Sequence, residues 1–148
     1  MFSSKWCKGC SDVGPFLLRI FIGFTFLMHG SQKALGAFGG GGVNSVSGFL
    51  TQLGFPMPHI FAYVLAYTEF LGGIGLLLGV FTRLWAFLLS FVMLVAIFTV
   101  HLKNGFFAAG GGMEFPFVIL GGTLCLLFTG CTRYGLDCTV FKKWCCPE

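Results

Sequence analysis

The stretch IFAYVLAYTEFLGGIGLLLGVF, residues 60–81, decides the fold of this chain. A helix that crosses the hydrocarbon core of a bilayer needs about 20 apolar residues, and Glu69 is the only charged residue in this stretch. Comparable apolar stretches occupy residues 13–35, 84–102 and 113–131. Together the four stretches predict an all-α integral membrane protein built as a four-helix bundle.

The composition of the whole chain supports a membrane location. Of the 148 residues, 56% are hydrophobic and only 9% are charged, whereas soluble domains carry about 25% charged residues. The net charge of +4 is spread along the chain, with no basic run interleaved with stacking aromatics. The composition therefore excludes a soluble domain and argues against a nucleic-acid partner.

The four predicted spans divide the chain into a cysteine-containing N-terminal tail (1–12), a four-helix transmembrane domain (13–131) and a cysteine-rich C-terminal tail (132–148). Ser11 and Asp12 suit the N-cap of the first span. Four spans place both termini on one side, which holds Lys5, Lys8, Arg19, Arg83, Arg133, Lys142 and Lys143, against Lys33 and Lys103 on the other. By the positive-inside rule we predict a bacterial inner-membrane protein with both termini in the cytoplasm.

The outer connection of residues 36–59 is predicted to contain a short amphipathic helix between helices 1 and 2. After the glycine stretch GAFGGGG, apolar residues recur at helical spacing, namely Val43, Val46, Phe49, Leu50 and Leu53. Such a helix fits the outer membrane interface. The second and third spans, in contrast, are joined by little more than Thr82 and Arg83, which predicts a tight antiparallel hairpin.

Glu69 is the charged residue that the membrane should accept least readily. At 1.5 Å per residue it lies about 14 Å inside the second span, where an acidic side chain costs on the order of 3 kcal/mol. It therefore needs a partner or a function. It either pairs with Arg19 or Lys33 and holds two helices together, or it has a role toward a proton, a quinone or another ligand.

The glycines that follow Glu69 on the second span have a packing interpretation. Gly72, Gly73, Gly75 and Gly79 include a Gly-x-x-x-Gly pair, and small residues at this spacing let helix backbones approach closely.

Polar residues of different helices converge at the outer side of the predicted bundle. Arg19, His29 and Lys33 share one face of the first helix. His29, Lys33, His101 and Glu114 all come to the same membrane level, with Glu69 beneath them. We predict a polar pocket that opens outward. Glu-x-x-His and His-x-x-x-His spacings are absent, so no metal is predicted here, whereas the groups suit hydrogen bonding and proton transfer to a quinone.

Six of the seven cysteines lie in or beside the two tails, namely Cys7, Cys10, Cys131, Cys138, Cys145 and Cys146, while Cys125 lies inside the fourth span. A reducing cytoplasm favours inert, free or acylated thiols. The string WCKGC resembles a redox Cys-x-x-Cys. A zinc or iron–sulfur site made of Cys7, Cys10, Cys145 and Cys146 is a further alternative.

The pattern of these residues resembles the DoxX family of small four-helix membrane proteins. The resemblance covers about Gly14 to Leu136 and is carried by the strings LLRIFIGFTFLMHGSQKALGAFGG, LTQLGFPMPHIFAYVLAYTEFLGGIGLLLGVFTRL, VMLVAIFTVHLKNGFF and GGGMEFPFVIL. The cysteine-rich ends lie outside the pattern. The resemblance implies a compact transmembrane bundle. It also implies quinone or thiol redox chemistry beside partner proteins, because a DoxD-type relative is the membrane subunit of a thiosulfate:quinone oxidoreductase.

We therefore predict a membrane component of quinone- or thiol-linked redox chemistry. The predicted catalytic residues are Glu69, His29, His101 and Glu114, and the predicted cofactor-binding residues are Arg19, Lys33 and Asn104. Arg19 has the alternative of reaching to the lipid headgroups. The expected partners are the bilayer and a partner subunit or a second copy of the chain. The alternative function is a noncatalytic structural or accessory subunit of a larger complex, and a transporter of protons or small molecules is a third, weaker hypothesis.

Overall fold

The computed structural model describes residues 4–130 and 134–140, and their side chains over 12–130 and 134–138. Within this part of the chain all regular elements are helical and no strand occurs. The α-helices are α1 (Ser4–Leu35), α2 (Gly42–Gln52), α3 (Pro58–Leu78), α4 (Thr82–Ala96), α5 (Glu114–Thr129) and α6 (Leu136–Val140). A π-helical turn, Ile97–His101, and a 3-10 turn, Leu102–Asn104, extend α4.

Three helical segments are long and apolar enough to cross a membrane, namely Asp12–Leu35, Pro58–Leu78 and Thr82–Asn104. The predicted fourth span corresponds to α5, which is apolar but only 16 residues long. Large apolar side chains cover the outside of the bundle, and Phe128 on α5 is 79% exposed. An apolar outer surface of this extent is suited to lipid contact rather than to water. The prediction of a helical membrane protein is thus confirmed.

Two helix boundaries differ from the sequence expectation. The N-cap predicted at Ser11 and Asp12 is wrong, because α1 begins at Ser4 and carries Pro15 inside it. The tight hairpin between the second and third spans is confirmed, but α4 already begins at Thr82 and the turn lies just before it. The turn starts at Gly79, whose φ of 67° is the left-handed conformation that glycine adopts at helix C-termini.

Glycines set the distance between α1 and α3. A Cβ at Gly30 would overlap the backbone nitrogen of Phe70, and a Cβ at Gly73 would overlap the backbone nitrogen of Leu27. The two backbones are therefore in direct contact, as in small-residue helix pairs of membranes. The packing interpretation of the α3 glycines is confirmed for Gly73, whereas Gly72 and Gly75 face the side chains of Leu89 and Trp85 on α4. Buried apolar side chains of α1, α3, α4 and α5 fill the core beside this contact, namely Ile22, Phe26, Leu76, Ala86, Leu89, Ile119 and Leu126.

The amphipathic segment between α1 and α3 is a helix, α2, as predicted. Its buried residues are Ser47 and Leu50. The Ser47 hydroxyl lies 3.0 Å from Nδ1 of His59 at the start of α3. This contact holds α2 against the bundle at the end where α3 begins.

The short helix α6 closes the opposite end of the bundle. Asp137 accepts hydrogen bonds from the backbone N–H groups of Phe81 at 2.7 Å and Thr82 at 2.9 Å, which are the first donors of α4. Arg19 donates to the carbonyl of Tyr134 at 3.2 Å, and its guanidinium lies 5.5 Å from the ring centre of Phe16. The alternative that Arg19 reaches the lipid headgroups is wrong, because only 1% of it is exposed.

Candidate functional site

The Glu69 carboxylate and the Lys33 ammonium form an ion pair between α3 and α1. Nζ of Lys33 lies 2.5 Å from Oε1 and 2.7 Å from Oε2 of Glu69. The carboxylate side chain is 2% exposed and the lysine side chain 32%. The glycine contact makes the pair possible, because Gly30 brings α1 onto the backbone of Glu69 and Lys33 follows about one turn later. Of the two partners predicted for Glu69, the structure selects Lys33.

A cavity of about 850 Å³ lies beside this ion pair and is lined by residues of all five helices from α1 to α5. Its volume is within the range of small-molecule sites, about 300–1,000 Å³. His29, Lys33, Glu69 and His101 are among its lining residues, but most of the others are apolar. The prediction of a polar pocket is therefore wrong, because the cavity walls are mainly apolar. The site is an apolar cavity with a small set of charged and titratable groups, the composition that ligand pockets usually have.

His101 is positioned by an irregularity of its helix. It is the last residue of the π-helical turn Ile97–His101, a type of turn that is frequent at functional sites. Its Nδ1 lies 2.8 Å from the carbonyl oxygen of Gly111. A carbonyl oxygen can only accept, so Nδ1 carries a proton. In the neutral imidazole Nε2 is then a hydrogen-bond acceptor.

His29 lines the cavity from α1 and is exposed at its edge. Its ring centre lies 6.1 Å from that of Phe115 on α5, with the rings tilted by 56°. The imidazole is thus in tilted contact with an aromatic ring. Its two ring nitrogens are the atoms that can form hydrogen bonds to a ligand.

Three predicted site residues do not line this cavity. Oε2 of Glu114 accepts the backbone N–H of Ala108 at 2.9 Å, so this carboxylate stabilises the loop that leads into α5. Asn104 donates to the carbonyl of Gly111 at 3.2 Å, the group that His101 also contacts. Arg19 lies at the opposite end of the bundle, near α6.

Sequence reasoning missed the contribution of α2 to the site. The apolar face predicted to lie on the membrane interface consists of Val43, Val46, Phe49, Leu50 and Leu53. In the structure all of these except Val43 line the cavity. The 3.6-residue periodicity identified an apolar face correctly, but the pattern alone does not tell whether that face meets lipid or a cavity wall. The polar residues Thr25, Ser45 and Thr99 also line the cavity and were not predicted.

The described side chains contain no group of three or more His, Cys, Asp or Glu residues that could hold a metal. The side chains of the proposed Cys7, Cys10, Cys145 and Cys146 site lie outside the described residues, so that alternative stays a prediction. Of the two free cysteines among the described side chains, Cys125 is exposed on α5 and Cys138 is buried at α6.

Comparisons with known proteins found one matching family model and several relatives. The family model named DoxX matches residues 14–102. A Bacillus subtilis (strain 168) protein named "Putative oxidoreductase CatD" is 34% identical over 131 residues, which cover 88% of this chain and 90% of that protein. The Escherichia coli (strain K12) protein named "Inner membrane protein YqjF" is 30% identical over 139 residues, covering 93% of this chain and 99% of that protein. No solved structure matches the chain.

Proposed function

This chain belongs to the DoxX family, and from that premise we propose that it is a membrane component of redox chemistry that binds a quinone-type ligand in the cavity among α1 to α5. The family resemblance inferred from the sequence is confirmed by the match over residues 14–102. The name of the Bacillus subtilis relative says oxidoreductase, and that of the Escherichia coli relative says inner membrane protein. Both names are consistent with the proposal.

One observation supports a quinone above other ligands, namely an ion pair at the wall of a mainly apolar cavity. The ring and substituents of a quinone are apolar and suit those walls, while its carbonyl oxygens are acceptors that need donors. Nζ of Lys33 is such a donor, and only about a third of its side chain is exposed. Reduction adds two electrons and two protons and leaves two hydroxyl groups, so groups that exchange protons must lie nearby.

The titratable groups of the cavity can serve this proton exchange. The Lys33 ammonium and Nδ1 of His101 carry protons at defined positions, and the imidazole of His29 also lines the cavity. The two electrons come from a donor outside the cavity, either a thiol or a reduced sulfur compound, delivered by a partner subunit. The chain is therefore proposed as the quinone-binding part of a larger electron-transfer system.

The same proposal includes a position in the membrane. The four helices α1, α3, α4 and α5 form the transmembrane bundle, and α2 lies at the outer interface above the cavity. At 1.5 Å per residue α5 is about 24 Å long, so its flanking residues complete the span. Both termini lie in the cytoplasm, on the side where α6 and Arg19 close the bundle.

Ligand binding by the purified chain in lipid nanodiscs tests the proposal. Calorimetric titration with a tail-less benzoquinone should give saturable binding to the unmodified chain. The double variant Lys33→Met with Glu69→Gln removes both charges together and should weaken binding by at least tenfold. The matched control is Ser90→Ala, which removes a buried hydrogen bond to Thr123 at 2.8 Å in a part of the bundle that does not line the cavity. Equal binding by the double variant and the control contradicts the proposal.

A noncatalytic subunit is the second candidate function. One observation favours it: Glu69 and Lys33 already satisfy each other across two helices, as expected of a purely structural pair. In that case the unmodified chain binds no quinone and instead copurifies with other subunits. The neutral double variant should then fold and assemble normally, because neither helix retains an unpaired charge.

A further inference from the structure

The cavity reaches the side of the bundle, and we infer that its ligand enters from the bilayer between α3 and α4 and keeps a long apolar tail in that opening. This inference rests on the proposed quinone site. It names the class of ligand more narrowly, as a ring that carries an isoprenoid or alkyl chain, and it assigns the route of entry.

The helices α3 and α4 are in close contact toward their hairpin end. A Cβ at Gly72 would lie 3.0 Å from the side chain of Leu89, and a Cβ at Gly75 would overlap the indole of Trp85. These contacts leave no space between the helices near the turn. Further from the turn, the cavity lies between them, with Leu65 of α3 and Val95 of α4 on its walls.

The rim of this opening consists of exposed apolar side chains. Val64 on α3 is 58% exposed and Phe91 on α4 is 61% exposed, and both also line the cavity. Both side chains therefore have surface on the cavity and surface on the exterior of the bundle. Since the exterior of α3 and α4 is apolar, the opening faces lipid chains. An alkyl tail in this opening therefore remains in apolar surroundings.

A second edge of the cavity lies between α1 and α5, where His29 and Phe115 are exposed. That edge carries an imidazole, which an alkyl chain would have to desolvate without forming a hydrogen bond. The charged pair also reaches the cavity from α1 and α3. The polar ring of the ligand is therefore expected toward Lys33 and the histidines, and the tail toward Val64 and Phe91.

The test compares two probes that share one ring, a tail-less benzoquinone and the same ring with a decyl chain, on the chain in nanodiscs. Val64→Trp fills the rim from α3. It should weaken binding of the decyl probe at least tenfold more than it weakens binding of the tail-less probe. Phe91→Trp fills the rim from α4 and should act in the same direction, so the result does not depend on one variant that folds poorly. The control is Leu71→Trp, at an exposed position of α3 that does not line the cavity, and it should affect neither probe.

The possible results separate the two proposals. If both rim variants bind the decyl probe as the unmodified chain does, entry between α3 and α4 is overturned while the quinone site stands. Equal weakening of both probes also overturns it, because the rim would then act on the ring and not on the tail. If the unmodified chain binds neither probe, the quinone site itself is overturned, and the entry route with it.

Discussion

Lys33 donates to both carboxylate oxygens of Glu69, at 2.5 Å and 2.7 Å, across a helix pair whose backbones touch at Gly30. The same two side chains line the cavity. The pair thus joins α1 to α3 and also supplies the charged end of the candidate site. Replacing one partner leaves an unpaired charge and so affects stability and ligand binding together. Replacing both partners leaves no unpaired charge, so an effect on ligand binding can be measured without a large loss of stability.

We expect the two single variants of this pair to be less stable than the double variant. Lys33→Met leaves Glu69 as an unpaired buried carboxylate, and Glu69→Gln leaves the lysine without its counter-charge. The loss of one partner of a buried pair costs about 3 kcal/mol, while replacing both charges is close to neutral. Thermal unfolding in detergent should show clearly lowered Tm values for the single variants and a Tm near that of the unmodified chain for the double variant. Additive losses in the double variant would contradict an energetic coupling between Lys33 and Glu69.

Glu114 should behave differently from Glu69. Its carboxylate accepts the N–H of Ala108 in the loop before α5 and does not line the cavity. Glu114→Gln retains an acceptor oxygen, so we expect unchanged quinone binding and a loss of about 1 kcal/mol or less in stability. Glu69→Gln serves as the comparison and should weaken binding. A large loss of quinone binding in Glu114→Gln at an unchanged Tm would show that Glu114 is part of the binding site.

The sequence was informative wherever a residue type conflicted with its predicted surroundings. A carboxylate in the middle of an apolar span required a partner, and this argument identified Glu69 and included Lys33 among its candidates. The same argument showed that His29 and His101 come to one end of the bundle, and the structure places both at the cavity. These predictions needed only helix geometry and the free energy of burying charge.

The remaining features depend on tertiary packing that one sequence does not encode locally. Glu114 was grouped with the site because it lies at the same membrane level as His29, Lys33 and His101. Membrane level does not give the direction of a side chain around the helix axis. In the structure the Glu114 side chain contacts the loop before α5. The apolar face of α2 was recognised but was assigned to lipid. Asp137 was not predicted, because a carboxylate near the end of a chain looks solvent-exposed until the fold brings it to the start of α4.

Asp137 should stabilise the end of the bundle opposite the cavity. Its two oxygens accept the N–H groups of Phe81 and Thr82, and its own N–H donates to the carbonyl of Gly79 at 2.8 Å. Loss of a helix-capping side chain costs about 0.5–2 kcal/mol, and burial of Asp137, which is 4% exposed, places its replacement by Ala at the upper end. Hydrogen exchange of the α3–α4 turn should accelerate in Asp137→Ala.

Asp137→Asn provides a graded control, because the amide keeps one acceptor oxygen and loses the negative charge near the helix N-terminus. Its effect on exchange and on Tm should lie between those of Asp137→Ala and the unmodified chain. Quinone binding should be unaffected in both variants, since the cap and the cavity are at opposite ends. Unchanged exchange in Asp137→Ala would show that the cap contributes nothing measurable to α4.

The glycine contact between α1 and α3 gives the last prediction, because it determines whether Lys33 can reach Glu69. A methyl group at Gly30 would overlap the backbone at Phe70, so Gly30→Ala must push the two helices apart. Overpacking of this kind costs about 1–3 kcal/mol, and we expect both a lowered Tm and weaker quinone binding. Gly121→Ala on α5 is the matched control, since nothing lies within 4 Å of its added Cβ. It should leave binding unchanged and, by helix propensity, raise stability by up to about 1 kcal/mol. If Gly30→Ala lowers Tm but binds quinone normally, the distance between α1 and α3 matters for folding alone and the ion pair is not required at the site.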